Sequence, residues 1–173
     1  LVEYIASFGK PMIVSTGMNT IPSVKITESI LKNAGVDYAF LHTTNLYPTP
    51  PELVRLGAME EMIREFPGVE IGLSDHTTSN HACFAAVALG ANILERHYTD
   101  SMSRPGPDII NSMDANALTE LNTGIRLISK MRGGIKEPSK EEQPTIDFAF
   151  ASVVSTIEID QGELFTKDNI WLK

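Results

Sequence analysis

Apolar runs of strand length alternate four times with segments of helical spacing, and this constrains the fold more tightly than any other feature of the chain. The strand-like runs are Met12–Ser15, Tyr38–Thr43, Val69–Leu73 and Asn92–Glu95. The helical segments after them are Ile21–Asn33, Glu52–Phe66, Asn80–Leu89 and Asp114–Met131. The strand starts, at residues 12, 38, 69 and 92, recur about every 27 residues. Leu1–Phe8 reads as the end of an earlier helix. Gly35, Pro67-Gly68 and Gly90 stand where helices should stop. Ser79 or Asn80 stands where the third should be capped, and Asp114 where the fourth should be. Alternation of this kind predicts a parallel sheet with crossover helices, an α/β fold.

An open doubly wound sheet and a β/α barrel both satisfy that pattern. No G-x-G-x-x-G follows any strand, which weakens a dinucleotide-binding reading. Each strand ends in polar residues: Ser15-Thr16, His42-Thr43-Thr44-Asn45, Ser74-Asp75-His76 and Glu95-Arg96-His97. Barrel enzymes build their sites from the C-terminal ends of several strands, so four such ends favour a barrel. A complete barrel has eight strands; the four here make about half of one. Residues 1–134 are read as that half, 135–147 as a linker and 148–173 as the start of a further domain. In that last segment Phe148–Val154 is strand-like and Asp160-Gln161-Gly162 forms a turn. The first residue is Leu1 rather than Met, so further N-terminal sequence is expected.

A net charge of −8 argues against nucleic acid as the main partner. No apolar run approaches a bilayer span and no secretory leader opens the chain. Cys83 is the only cysteine, which rules out an intrachain disulfide and fits a reducing cytoplasm.

The residues that can carry chemistry gather at the strand ends. Alternate residues on a strand share a face, so Ser74 with His76, and Glu95 with His97, should line the barrel side. Two imidazoles on neighbouring strands can reach one divalent ion, with Glu95 in support. Mn²⁺, Fe²⁺, Co²⁺ and Zn²⁺ all suit such donors. On spacing alone the alternative stays open that each histidine only hydrogen-bonds its strand end. His42 and His81 are read as structural, His42 facing the outer helices and His81 in a helix's first turn. Three prolines stiffen the loop Thr44–Pro51 and would hold Asn45 and Tyr47 in place. The long loop Tyr98–Met113 has the length of a lid and carries Asp108, a candidate for sugar hydroxyls, and Arg104, read as solvated.

Five segments in order now carry a resemblance: Ser15-Thr16-Gly17-Met18, Thr44–Pro50, Gly72-Leu73-Ser74-Asp75-His76, Leu94-Glu95-Arg96-His97 and Arg104-Pro105-Gly106-Pro107-Asp108. With the histidines 21 residues apart, they resemble bacterial N-acetylneuraminate (sialic acid) synthases, the NeuB family. The resemblance runs through essentially the whole chain. It implies a homodimer with an N-terminal (β/α)₈ TIM barrel and a C-terminal antifreeze-like (SAF) domain. It implies condensation of phosphoenolpyruvate with N-acetylmannosamine, giving N-acetylneuraminate and phosphate, with Mn²⁺ as the usual metal. By residue match His76 and His97 are the expected metal ligands. Asn45 and Ser74 match phosphoenolpyruvate contacts; Tyr47 and Asp108 match the sugar pocket. The family's catalytic glutamate and phosphate-binding lysines are absent and expected upstream; Lys10 lies at the wrong end of its strand. The chain alone is therefore expected to be inactive. Synthases of legionaminate or pseudaminate, and a non-catalytic carbohydrate-binding relative, are the alternatives.

Overall fold

All four strand-like runs form strands, and each pairs in parallel with the next. In the computed structural model, which describes residues 1–173, they are β1 (Met12–Ser15), β2 (Tyr38–Thr43), β3 (Glu70–Asp75) and β4 (Ile93–Arg96). The sheet order is β1-β2-β3-β4. Doubly wound sheets reverse their order at a switch point. This sheet does not reverse, and runs as an arc of a barrel does. The helices are α1 (Val2–Ala6), α2 (Ile21–Ala34), α3 (Leu56–Glu65), α4 (His81–Leu89) and α5 (Ala115–Met131). They belong to a unit spanning Leu1–Gly133.

The register divides each strand into two faces. Phe40, Ile71 and Leu73 point toward the helices and pack with Leu31, Met59, Met62, Phe66, Cys83 and Ala86 in the core. On the opposite face Ser15 pairs with Leu41, Leu41 with Gly72, and Gly72 with Ile93. Thr43 pairs with Ser74, and Ser74 with Glu95, one row further along. Gly72 is required here: a Cβ would strike the Ile93 carbonyl oxygen and the Leu41 side chain. Burial of the Cys83 thiol, with the charge of Asp75 beside it, pushes its pKa up to about 12. That thiol donates weakly to Asp75 Oδ2 at 3.7 Å and is no nucleophile at neutral pH.

Helix ends follow the expected chemistry in part. Gly35 adopts a left-handed conformation at φ 66° and closes α2. The Asp114 carboxylate accepts from the Ala117 amide at 2.9 Å and caps α5. Neither Ser79 nor Asn80 caps α4, contrary to expectation. The Ser79 hydroxyl pairs with His81 Nδ1 at 2.8 Å. The Asn80 amide is turned instead toward the Ala117 carbonyl and Glu120, both at 2.8 Å.

Three boundaries also move. The third and fourth strands each extend past the expected end, to Asp75 and Arg96, because both side chains find buried partners there. The single helix expected over Glu52–Phe66 is broken into a 3₁₀ turn, Pro51–Leu53, and α3. Arg55 between them lies at φ 52°. The break leaves the Val54 carbonyl free to accept from His42 Nε2 at 2.8 Å. His42 thus faces the helices, as its position in the strand implied.

Burial holds the His42 imidazole below its ordinary value of 6.5, with the nearby Arg55 charge acting in the same direction. A histidine kept neutral in the fold binds fewer protons than in the unfolded chain, so stability rises with pH in that range. Its contribution is complete above 6.5 and is lost as pH falls through the folded value. The urea midpoint is therefore expected to climb as pH rises toward 6.5 and to level off above it, and His42→Gln to flatten that climb. An unchanged slope in the variant would assign the pH dependence elsewhere.

The second unit, Gly134–Lys173, holds a 3₁₀ turn at Lys140–Glu142, α6 (Gln143–Ala149), β5 (Val153–Ser155) and β6 (Ile170–Leu172). The two strands pair antiparallel. The expected linker 135–147 is partly helical, and the strand anticipated over Phe148–Val154 begins only at Val153. Pro144 sits in the first turn of α6, a position that suits its missing N–H. Asn169, buried within this unit, ties Thr166 N and the Leu164 carbonyl together at 2.7 and 3.0 Å. No helix of the protein is long and apolar enough to cross a membrane.

Candidate functional site

Where β3 and β4 stop, His76 and His97 stand side by side. Their ring centroids are 5.3 Å apart and their planes nearly perpendicular, at 86°. Two imidazoles sharing one metal through bonds of about 2.1 Å have centroids no more than about 6.5 Å apart. The observed pair falls within that limit. His76 Nδ1 lies 2.9 Å from the Thr44 carbonyl oxygen. A carbonyl only accepts, so Nδ1 donates, and the neutral ring keeps Nε2 as its free donor atom for a metal. No set of three or more His, Cys, Asp or Glu side chains converges to hold an ion. The two imidazoles fit a metal whose remaining positions go to oxygen ligands from water or substrate.

The loop after β2 is laced to the end of β3. Thr49 N donates to the His76 carbonyl at 2.9 Å. The buried Thr49 hydroxyl donates back to the Leu46 carbonyl at 2.8 Å. These ties, with the fixed φ of three prolines, deliver Tyr47 onto the histidines. Its ring lies 4.1 Å from that of His76 and 5.8 Å from that of His97. Asn45 faces β1, its amide oxygen lying so close over Gly17 that a Cβ there would collide with it. The stiff loop thus carries Tyr47 and Asn45 to different parts of the strand-end face.

The loop after β4 brings Asp108 to His97. Asp108 Oδ2 lies 3.8 Å from His97 Nδ1, too long for a hydrogen bond. Met113 N donates to the His97 carbonyl and Thr99 N to the Met113 carbonyl, both at 2.9 Å, so both ends of the long loop are pinned. Arg104 pairs with exposed Asp100 through both guanidinium nitrogens that reach it, as a solvated surface residue does. One row below the histidines, the Ser74 hydroxyl donates to Glu95 Oε1 at 2.7 Å. Glu95 therefore contacts Ser74 in this structure.

The structure thus gathers Tyr47, Ser74, His76, Glu95, His97 and Asp108 at one place, with Asn45 on the β1 side. A hollow of about 520 Å³ lies elsewhere, between α2 and α3, and includes His42 but neither histidine of the pair. Within the pair His76 is buried beneath Tyr47, while His97 is partly open to solvent. Sequence reasoning missed one feature. Asp75 and Arg96, adjacent to the two histidines, point to the opposite face and meet there with Nε and Oδ2 3.1 Å apart. The signal was available in the strict alternation along each strand: two charges were bound to face the core.

Residues 1–137 match the model of the NeuB family. The N,N'-diacetyllegionaminic acid synthase of Campylobacter jejuni is 38% identical over 99% of this chain and 52% of its own length. The human N-acetylneuraminate-9-phosphate synthase is 34% identical over 99% of this chain and 48% of its own length. Among solved structures, the N-acetylneuraminic acid (sialic acid) synthetase of Leptospira borgpetersenii, in complex with citrate, superposes with a TM-score of 0.79 at 30% identity. It covers 85% of this chain and 52% of that one. The chain spans about half the length of the curated relatives it matches. By the extent of the family match, this chain is a member of the NeuB family.

Proposed function

We propose that this chain is the second half of the barrel, and the start of an SAF domain, of an N-acetylneuraminate synthase. The full-length protein would act in the cytoplasm as a homodimer, condensing phosphoenolpyruvate with N-acetylmannosamine. The observation that carries the reading is the facing pair His76 and His97, with Tyr47 stacked on it, in a chain of this family.

His76 and His97 would hold Mn²⁺. When bound, the ion supplies Lewis-acid polarisation of the sugar aldehyde. Carbon 3 of phosphoenolpyruvate attacks that aldehyde, water adds at carbon 2, and phosphate leaves with cleavage of the C–O bond. Asn45 and Ser74 would orient phosphoenolpyruvate as neutral donors, which hold its phosphate without neutralising it. Because the Ser74 hydroxyl donates to Glu95 in this structure, it must exchange that partner to donate to phosphoenolpyruvate. Tyr47 and Asp108 flank the histidines from two loops and would bind the sugar.

A second reading has its own support: the relative named for N,N'-diacetyllegionaminic acid is more similar than the human one named for N-acetylneuraminate 9-phosphate, at 38% against 34%. The two readings share fold, metal and phosphoenolpyruvate and differ in the six-carbon sugar. The test is phosphate release by the full-length protein with phosphoenolpyruvate and each candidate sugar, before and after chelation. Turnover with N-acetylmannosamine that a chelator abolishes and Mn²⁺ restores is expected. Turnover only with a different amino sugar would transfer the assignment to a related nonulosonic acid. No turnover with any would favour a non-catalytic carbohydrate-binding relative. The 173-residue chain alone is expected to be inactive, and robust turnover by it would overturn the half-barrel reading.

A further inference from the structure

We infer that the buried Asp75–Arg96 pair is a positioning device that sets the separation of His76 and His97. The inference rests on the metal reading above. Asp75 and Arg96 are register partners, and they are the last residues of the β3–β4 ladder. One residue further on, the strands part. The His76 carbonyl accepts from Thr49 and the His97 carbonyl from Met113, so neither backbone holds the other. The cross-strand tie nearest the two histidines is the ion pair on the far face.

That tie is built to be stiff. Its side chains are only 1–2% exposed. Arg96 Nη1 donates to Asn80 Oδ1 at 2.6 Å and Nη2 to the Thr77 carbonyl at 2.8 Å. The Nε–Oδ2 approach of 3.1 Å is ionic and not a directed hydrogen bond, since Nε finds no aligned acceptor. The Asp75 carboxylate accepts from Thr77 N and from the Thr77 hydroxyl, each at 3.0 Å. Asn80 carries the linkage on to α5. A planar fork fixed on three sides cannot be replaced by a flexible point charge of the same sign. Strand ends so held keep the imidazoles at one spacing before any ion arrives.

The test measures Mn²⁺ affinity of the full-length protein by the electron paramagnetic resonance signal of free Mn²⁺. Arg96→Lys is expected to weaken binding about tenfold, the lower end of what loss of a ligand's support produces. Thr77→Val, which removes one donor to Asp75, should weaken it about threefold and serves if Arg96→Lys does not fold. Leu31→Ala, in the core under α2 and away from the pair, should lower thermal stability without changing the affinity. Wild-type affinity in Arg96→Lys or in Thr77→Val overturns the inference, as does an equal loss of affinity in Leu31→Ala. If the unmodified protein binds no Mn²⁺, or His76→Ala binds it equally well, the metal reading itself falls, and this inference with it.

Discussion

Replacing His76 or His97 by alanine is expected to cut turnover of the full-length protein by about 10²–10³-fold, because Lewis-acid catalysis supplies several kcal/mol and each 1.36 kcal/mol is a factor of ten. Neither residue can substitute for the other. They stand on different strands, tied by different loops, and only together bring two ring nitrogens within reach of one ion. The double variant should therefore be hardly worse than either single one, as for groups that act as a unit. Steady-state phosphate release across a Mn²⁺ titration checks both statements. If one variant turns over like the unmodified protein, that residue leaves the ligand set. If both lose activity and high Mn²⁺ restores His97→Ala alone, His76 is the stronger ligand. That order agrees with the structure: the His76 ring is oriented by a 2.9 Å hydrogen bond, while the His97 ring meets only a carboxylate 3.8 Å away.

The inward side of the site was legible in the sequence because a strand's period of two can be read without coordinates. Ser74 below His76 and Glu95 below His97 followed from it, and so did the outward direction of His42. What remained hidden depended on partners distant in the chain. Whether Asn80 caps α4 is decided by Arg96, sixteen residues on, and by α5. The break at Arg55 is set by a histidine on β2 that needs a carbonyl to accept from it. Each is a case of tertiary hydrogen bonding overriding a local preference, and no window of sequence contains both halves of it. Likewise the stiffness of the Thr44–Pro51 loop could be read from its prolines, but its landing point on His76 could not. That point is fixed by one backbone hydrogen bond and one from an imidazole, both to His76 at the end of a strand some thirty residues away.

The largest effect on stability is expected from Asp75→Ala: a loss of about 3–5 kcal/mol, the range for removing one partner of a buried ion pair. The guanidinium of Arg96 would stay between β4, α4 and α5 with its two neutral acceptors but without the carboxylate that balances its charge. Thr77 would lose both bonds to that carboxylate at the same time. Removing the charge on both sides is a different experiment. In Asp75→Leu with Arg96→Met, no ion remains to be desolvated, and stability should recover by a few kcal/mol relative to Asp75→Ala. Urea unfolding of the full-length protein, followed by near-ultraviolet circular dichroism, measures both variants. A loss below about 1 kcal/mol in Asp75→Ala would mean that water reaches Arg96 and screens it, as at a surface pair. Recovery in the double variant, with weakened Mn²⁺ binding, would separate the two roles of the pair. The fold needs the site dry or balanced, and an apolar pair meets that need. The spacing of the histidines needs a rigid cross-strand tie, and two flexible apolar side chains do not provide one.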